Sequence, residues 1–432
     1  MKERPAPRVW CFTTYFAEGF PYTIVRIVTS VFYTDIGMKE RYLGYLNFLA
    51  IPWNLKFLWA PLVDIFGSKR GWMLGFQGAI TLVLASIAAV NLMAPAAGAS
   101  EGQLALLSLA FVLLAFVSAS NDIAIDGYYM EGLRDPGDQA AYTGYRVFAY
   151  RIAMIAARSG IVAVAAWAAA RMVGAGPHAP WAVAFGVSAL LMGATTLFHA
   201  WKLPRFEAAR EGAGRTAREA LAEFGRAFAS YARQERFALV LAFIILYRIG
   251  DEILFSMVTP FLMRGLGVTK SQYAWIAGIV GALGAIAGVT VGGLWIKRHG
   301  LKRSIWPLTL LMNLNIWAYI WLAWRAPSPE TTTGLLTIAF VHGYEQVASG
   351  LGNAVLVVYL LRTCKPEFKA SHYAIGSAIM SLTATIFGGF GGVIVERIGY
   401  LGLFLLGFAA SVPSMLLLFW VPIREDDVSR SA

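Results

Sequence analysis

Long apolar runs recur along the whole chain, each bounded by short charged or turn-forming segments. A helix needs about 20 apolar residues to cross the hydrocarbon core of a bilayer. Runs this long and unbroken do not fit barrel strands, which alternate over about ten residues. The pattern predicts helices over 9–34, 42–65, 72–93, 104–130, 141–172, 180–201, 237–263, 271–296, 304–325, 333–361, 370–395 and 401–422. Glu18 and Pro21 interrupt the first run, and no small-residue cleavage site follows it. It is therefore expected to be a retained first helix and not a signal peptide. One polar stretch, Leu203–Arg236, separates six predicted helices from six. Within it Leu221, Phe224, Phe228 and Tyr231 stand at helical spacing among Arg and Glu. That spacing fits an amphipathic helix on the cytoplasmic membrane surface, or a solvated connector with a few apolar residues.

Composition agrees with membrane residence. Of 432 residues 58% are hydrophobic and 14% charged, with mean hydropathy +0.60, whereas a soluble domain carries about 25% charge. The net charge of +11 raises the question of nucleic acid, but topology accounts for it better. With the N-terminus inside, most basic residues fall on the cytoplasmic side. They include Lys2, Arg4, Arg8, Lys69, Arg70, Lys297, Arg298, Lys302, Arg303, Arg362, Lys365 and the basic residues of the polar stretch. Few, such as Lys39, Arg41, Arg264, Lys270 and Arg325, fall outside. This positive-inside bias predicts both termini in the cytoplasm. Cys11 and Cys364 are far apart with no partnering pattern, so neither a disulfide framework nor a metal site is indicated. No catalytic triad, metal cluster or phosphate loop is visible, and no cofactor is expected.

The two halves resemble each other. Gly67-Ser-Lys-Arg70 follows the second predicted helix, and Gly300-Leu-Lys-Arg303 follows the eighth at an offset of 233. Tyr129 to Pro136 after the fourth parallels Tyr359 to Pro366 after the tenth at an offset of 230. Duplicated six-helix halves are the signature of the major facilitator transporters, with the substrate site expected at mid-membrane between them. The fold class is then all-α integral membrane, twelve helices in two pseudo-symmetric halves. The expected organisation is 1–202, a linker over 203–236, and 237–432.

Charges inside the apolar runs are the candidate chemistry, because each is costly in hydrocarbon without a partner. Asp122 and Asp126 lie four apart and share one face of the fourth helix. Two carboxylates that close in low dielectric do not both ionise easily, so one can carry a proton. The alternative is a structural pair, each acid satisfied by an arginine or a backbone amide. Arg151 and Arg158 share a face of the fifth helix, with Arg146 nearer the cytoplasm as a helix-end group. A buried guanidinium either pairs with Asp122 or Asp126 or offers a fork to an anionic substrate. Glu18 and Arg26 flank Gly19-Phe-Pro21, a sequence for a bent or broken helix. Asn54 and Lys56 follow Pro52; Lys56 could snorkel if it stood near a helix end, but Met38 to Arg41 and Asp64 bracket it centrally, and both are assigned to the cavity.

In the seventh helix, Arg248 stands three and four residues before Asp251 and Glu252, so it can neutralise either acid within the helix. That leaves the other acid for the cavity. Glu345, mid-helix in the tenth with no base nearby, is a stronger candidate than His342, which fits a packed polar group. Asp122, Asp126, Asp251 and Glu345 are thus assigned to proton coupling. Substrate binding is assigned to Glu18, Arg26, Asn54, Lys56, Arg151, Arg158, Arg248 and Glu252. The glycines from Gly278 to Gly293 and from Gly388 to Gly392 have no flanking strand and no Gly-Lys-Ser/Thr. They read as close-packing helix surfaces and not as nucleotide loops. Trp306, Trp317, Trp321 and Trp324 fit an interfacial belt or packing, or sugar stacking.

Pro52-Trp-Asn-Leu-Lys56-Phe-Leu-Trp-Ala-Pro61-Leu-Val-Asp64 and Ser118-Ala-Ser-Asn-Asp122-Ile-Ala-Ile-Asp126 resemble signatures of the AmpG muropeptide permeases. Leu246-Tyr-Arg248-Ile-Gly250-Asp251, Phe261-Leu-Met-Arg264-Gly, and Glu345 before Gly350-Leu-Gly352 resemble that family in the second half. The resemblance implies proton-driven import of anhydro-muropeptides across a bacterial inner membrane. It carries over Lys56, Asp122, Asp126, Arg151, Asp251 and Glu345 as transport residues. Glu18 is an acid where the family pattern commonly has a small or amide residue. The partners implied are a small-molecule substrate, protons and the lipid bilayer, with a monomeric chain and no nucleic acid. Two alternatives stand beside this. One is the same fold moving a siderophore or an acyl-CoA, and the other is a membrane receptor that binds without moving its ligand.

Overall fold

The computed structural model describes residues 7–133, 135–206, 225–226, 228–365, 367 and 369–423. Leu221, Phe224, Arg424 and Arg430 lie outside the described residues. Every predicted span falls on helical chain. Among the described residues, seven stretches are long and apolar enough to cross a membrane: Lys69–Leu92, Glu101–Gly132, Gly137–Arg171, His178–Lys202, Lys270–His299, Leu301–Arg325 and Gly391–Leu417. The last of these is divided by Gly399, whose φ of 71° breaks the helix near the predicted boundary. The remaining predicted spans correspond to helical chain over 7–35, 40–65, 237–265, 332–363 and 369–389. Large apolar side chains such as Leu82, Leu190 and Phe340 are exposed along these helices. Lipid, not water, is the solvent that such surfaces require.

The interruptions have local causes. The second span runs as Glu40–Tyr45, a 3-10 turn over Leu46–Ala50, Ile51–Leu55, a second 3-10 turn over Lys56–Leu58, and Ala60–Ile65. Pro52 and Pro61 sit in the first turns of its second and third α segments. Neither ring has an N–H to continue the preceding helix. In the first span Pro21 lies within Pro7–Thr23, and a π-helical turn, Ile24–Val28, follows before Thr29–Asp35. The bend expected around Gly19-Phe-Pro21 is thus realised as a π turn just beyond it. The fifth span carries the matching irregularity, a π turn over Ala156–Ile161 between Pro136–Ile155 and Val162–Arg171.

The chain packs as two compact units. Among the described residues, the first comprises 7–38, 49–206 and 269–274, and the second 39–48, 225–268 and 275–423. In the first, Lys69–Leu92 packs on both Glu101–Gly132 and His178–Lys202, and Pro7–Thr23 packs on Pro136–Ile155. Two buried histidines tie neighbouring helices: His178 Nδ1 to Asn91 Oδ1 at 2.8 Å and His199 Nδ1 to Gln77 Oε1 at 2.7 Å. In the second unit, Gly281–His299 lies along Thr332–Thr363, and small residues set the approach. A Cβ added to Gly288 would stand 2.1 Å from the Val347 carbonyl oxygen, and one on Gly284 2.8 Å from that of Gly343. These glycines are a packing surface, as small residues three and four apart allow. Tyr231, at the end of the polar stretch, is buried in the core of this unit beside Val240, Phe243 and Tyr359.

Candidate functional site

In the first unit the charged residues of four spans converge. The fourth helix starts from a capping box, Ser100 with Gln103, and runs unbroken past Asp122 and Asp126. Asn121 Nδ2 donates to the Ala17 carbonyl at 3.2 Å, fixing the fourth helix against the first. Lys56, on the 3-10 turn between the two prolines, forms an ion pair with Asp122. Beside it Trp59 Nε1 donates to Ser120 Oγ at 3.1 Å. Asp126 Oδ1 accepts from the Tyr15 hydroxyl at 2.7 Å and from Arg146 Nη2 at 3.0 Å. The Arg146 guanidinium lies over the Tyr15 and Tyr129 rings, 4.3 and 4.4 Å from their centroids. Asp122 is nearly buried, its side chain 11% exposed, while that of Asp126 is 39% exposed. Glu18, in the first span, has Asp122, Asp126 and Lys56 as charged neighbours.

Arg146, expected only to close a helix end, is therefore the base that holds Asp126. It lies 20 residues after Asp126 in sequence, on the next helix, a relation that helical spacing within one span does not show. Arg26 and Arg158 occupy the two π turns, Ile24–Val28 and Ala156–Ile161, which pack against each other. Such turns, rare within α-helices, recur at functional sites. Arg151 lies on the α-helical part of the fifth span before the π turn, among the charges around the Tyr150 hydroxyl. Asn54 is buried in the broken second span.

In the second unit the seventh span breaks at Arg248, whose backbone leaves the helix at φ −108° and ψ 6°. Asp251 and Glu252 then fall in the first turn of Ile249–Ser256, where acids are favoured by the helix dipole. Arg248 Nη2 stands 2.8 Å from Asp251 Oδ2 and 3.1 Å from Glu252 Oε1. One guanidinium thus reaches both acids, instead of leaving one for the cavity. Ser349 Oγ donates to Asp251 Oδ2 at 2.8 Å, and Arg248 Nη1 donates to Asn353 Oδ1 at 3.3 Å. Both partners come from the tenth helix. Tyr247, next to the break, is held by Thr309 Oγ1 and the Gly352 carbonyl, each at 3.1 Å. Glu345 is fully buried and accepts from Gln346 Nε2 at 3.1 Å. His342 meets the Tyr319 hydroxyl through Nδ1 at 2.7 Å, a packed polar contact.

Further ion pairs stand at helix ends. Asp35 accepts from Lys270 Nζ and Trp181 Nε1, each at 2.7 Å, in the first unit. In the second, Glu40 pairs with Arg264 at 3.0 Å and Glu396 with Arg41 at 2.6 Å. Sequence reasoning assigned Tyr15, Tyr129, Ser349 and Asn353 no role. Tyrosine, serine and asparagine inside a span carry no signal until a charged partner on another helix is known.

Helices that bury paired charges and clad themselves in apolar side chains are the build of an integral-membrane transporter, and the fold is that of the major facilitator group. Residues 240–432 match the sequence profile described as Major Facilitator Superfamily. The nucleoside transporter NupG has the same fold, with a TM-score of 0.67 over 96% of this chain and 99% of that one, at 14% identity. A D-xylose–proton symporter gives 0.67 over 96% and 97%, at 12% identity. Along the sequence, the chain is similar to the Anhydromuropeptide permease of Escherichia coli (strain K12), 27% identical over 96% of this chain and 81% of that protein. It is also 26% identical to the putative transporter AmpG 4 of Rickettsia conorii over 94% of each chain. The resemblance seen in the motifs thus extends over nearly the whole chain. The protein is a multi-pass membrane transporter, and a small molecule is its cargo.

Proposed function

We propose that this chain imports anhydromuropeptides, the sugar-peptide fragments of cell-wall turnover, by proton-coupled alternating access in a bacterial inner membrane. Both termini face the cytoplasm, and one chain is the working unit. The observation that carries the reading is the similarity, over 96% of this chain and 81% of the relative, to a permease named for that substrate. The buried acid–base clusters add to it, because charges in hydrocarbon are kept where they move ions or bind polar cargo. The sequence divides into halves at 1–202 and 237–432, joined by 203–236, and each half contributes one cluster.

Asp122, Asp126, Asp251 and Glu345 supply the titrating relay, and Lys56 and Arg248 hold its members in place. Arg26, Arg151 and Arg158 take the carboxylates of the peptide stem, for which a guanidinium offers two parallel donors. Glu18, Asn54 and Glu252 complete the polar lining that meets sugar hydroxyls and amides. A receptor has no need of a titrating relay, which weighs against binding without transport.

The test is uptake of labelled anhydromuropeptide into proteoliposomes with and without an imposed proton gradient. Accumulation against the substrate gradient only when protons run inward is the expected result. No uptake by demonstrably folded protein would remove this substrate and point to a siderophore, an acyl-CoA or a receptor role.

A further inference from the structure

The cluster in the first unit does not balance its charges. Three carboxyl groups, Glu18, Asp122 and Asp126, meet two bases, and both bases are already committed. Lys56 is paired with Asp122, and Arg146 with Asp126. Asp126 also accepts from the Tyr15 hydroxyl. The Asn121–Ala17 contact sets Glu18 beside Asp122, the two carboxyls stand within reach of a shared hydrogen bond, and Glu18 Oε2 is buried with no hydrogen-bond partner. The groups facing it are Asp122, Asp126 and Lys56, with the Tyr15, Tyr22 and Tyr150 hydroxyls, Arg146 and Arg151 around them.

An ionised carboxylate only accepts hydrogen bonds. A hydrogen bond that joins two carboxyl groups therefore requires a proton on one of them. Asp122 is already paired with the Lys56 ammonium. Glu18 has no base of its own and a buried oxygen that an ionised group would leave unsatisfied. The proton belongs on Glu18.

We infer that Glu18 is the group that holds and releases the transported proton, while Asp122 and Asp126 with their bases form a fixed frame around it. This rests on the proton-coupled reading above and moves the exchanging proton off the aspartate pair. In the loaded state the Glu18 hydroxyl donates to Asp122. On release the proton passes to water on the side then open, leaving a third carboxylate in the cluster. The Lys56 ammonium has three donors and can then serve Glu18 and Asp122 together. No other bond is made or broken.

The experiment is infrared difference spectroscopy across a pH ramp on the full chain in lipid nanodiscs, comparing wild type with Glu18→Gln. Proteoliposome uptake of labelled anhydromuropeptide by the same two proteins accompanies it. Wild type should show a protonated-carboxyl C=O band that disappears as pH rises, and E18Q should lack that component. E18Q should also lose gradient-driven accumulation and the pH dependence of uptake. A band unchanged in E18Q places the proton on another carboxyl and overturns the inference. So does accumulation by E18Q at the wild-type level, which leaves proton coupling itself standing. If wild type shows the Glu18 band but uptake ignores the gradient, the coupling reading falls and this inference with it. Should E18Q not fold, Glu18→Asp serves in its place: the band must shift in frequency, and a band that does not move overturns the assignment.

Discussion

In the first unit each base serves one acid: Lys56 holds Asp122 and Arg146 holds Asp126. In the second, one guanidinium, that of Arg248, reaches both Asp251 and Glu252, with Ser349 and Asn353 beside it. The backbones differ in the same way. The first unit's acids sit on the unbroken helix Glu101–Gly132, whereas the second unit's cluster is built on the break before Ile249–Ser256. One-to-one pairing on a continuous helix leaves a carboxyl over, which is what a proton site requires. A shared guanidinium at a helix break instead ties the local backbone to the charges, so that disturbing one disturbs both.

Removing the shared base should have the largest effect. Arg248→Ala takes the guanidinium from buried Asp251 and from half-buried Glu252 at once, and losing one partner of a buried pair costs about 3–5 kcal/mol. The melting temperature in detergent should therefore fall further for Arg248→Ala than for Lys56→Met, which strands only Asp122. Equal losses would erase the distinction between the two clusters.

Removing pairs together sharpens the contrast. Lys56→Met with Asp122→Asn takes both charges away and should recover most of the stability lost by Lys56→Met alone, since the uncompensated charge is what costs. Arg248→Met with Asp251→Asn should recover less, because the contact between Arg248 and Glu252 is still lost. A thermal-shift double-mutant cycle in each unit reads the difference. Matching recoveries would mean that Glu252 does not depend on Arg248.

The smallest effect is expected at Arg146→Lys. The ammonium keeps the ion pair with Asp126 but gives up the flat guanidinium over Tyr15 and Tyr129, a loss of roughly 0.5–2 kcal/mol. A small downward shift in melting temperature would fit. No shift in Arg146→Lys would leave the aromatic contacts without energetic weight.

The membrane class, the positions of the spans and the glycine packing surface were legible in the sequence. Each rests on run length, hydropathy or spacing along one helix, and those are local quantities. Asp122 and Asp126 on one face, and Arg248 near Asp251 and Glu252, were legible for the same reason. Which base serves which acid was not. Tyr15 meets Asp126 across 111 residues of chain, Lys56 meets Asp122 across 66, and Ser349 meets Asp251 across 98. Such pairings depend on which helices become neighbours and how far each is rotated, and an apolar run specifies neither. The sequence alone determined that charges would be buried in the membrane, because hydrocarbon sets the length and polarity of whatever crosses it. Only the tertiary structure decided how they are shared. Charge balance is summed over a neighbourhood in space, and in the first unit that sum comes out one proton short.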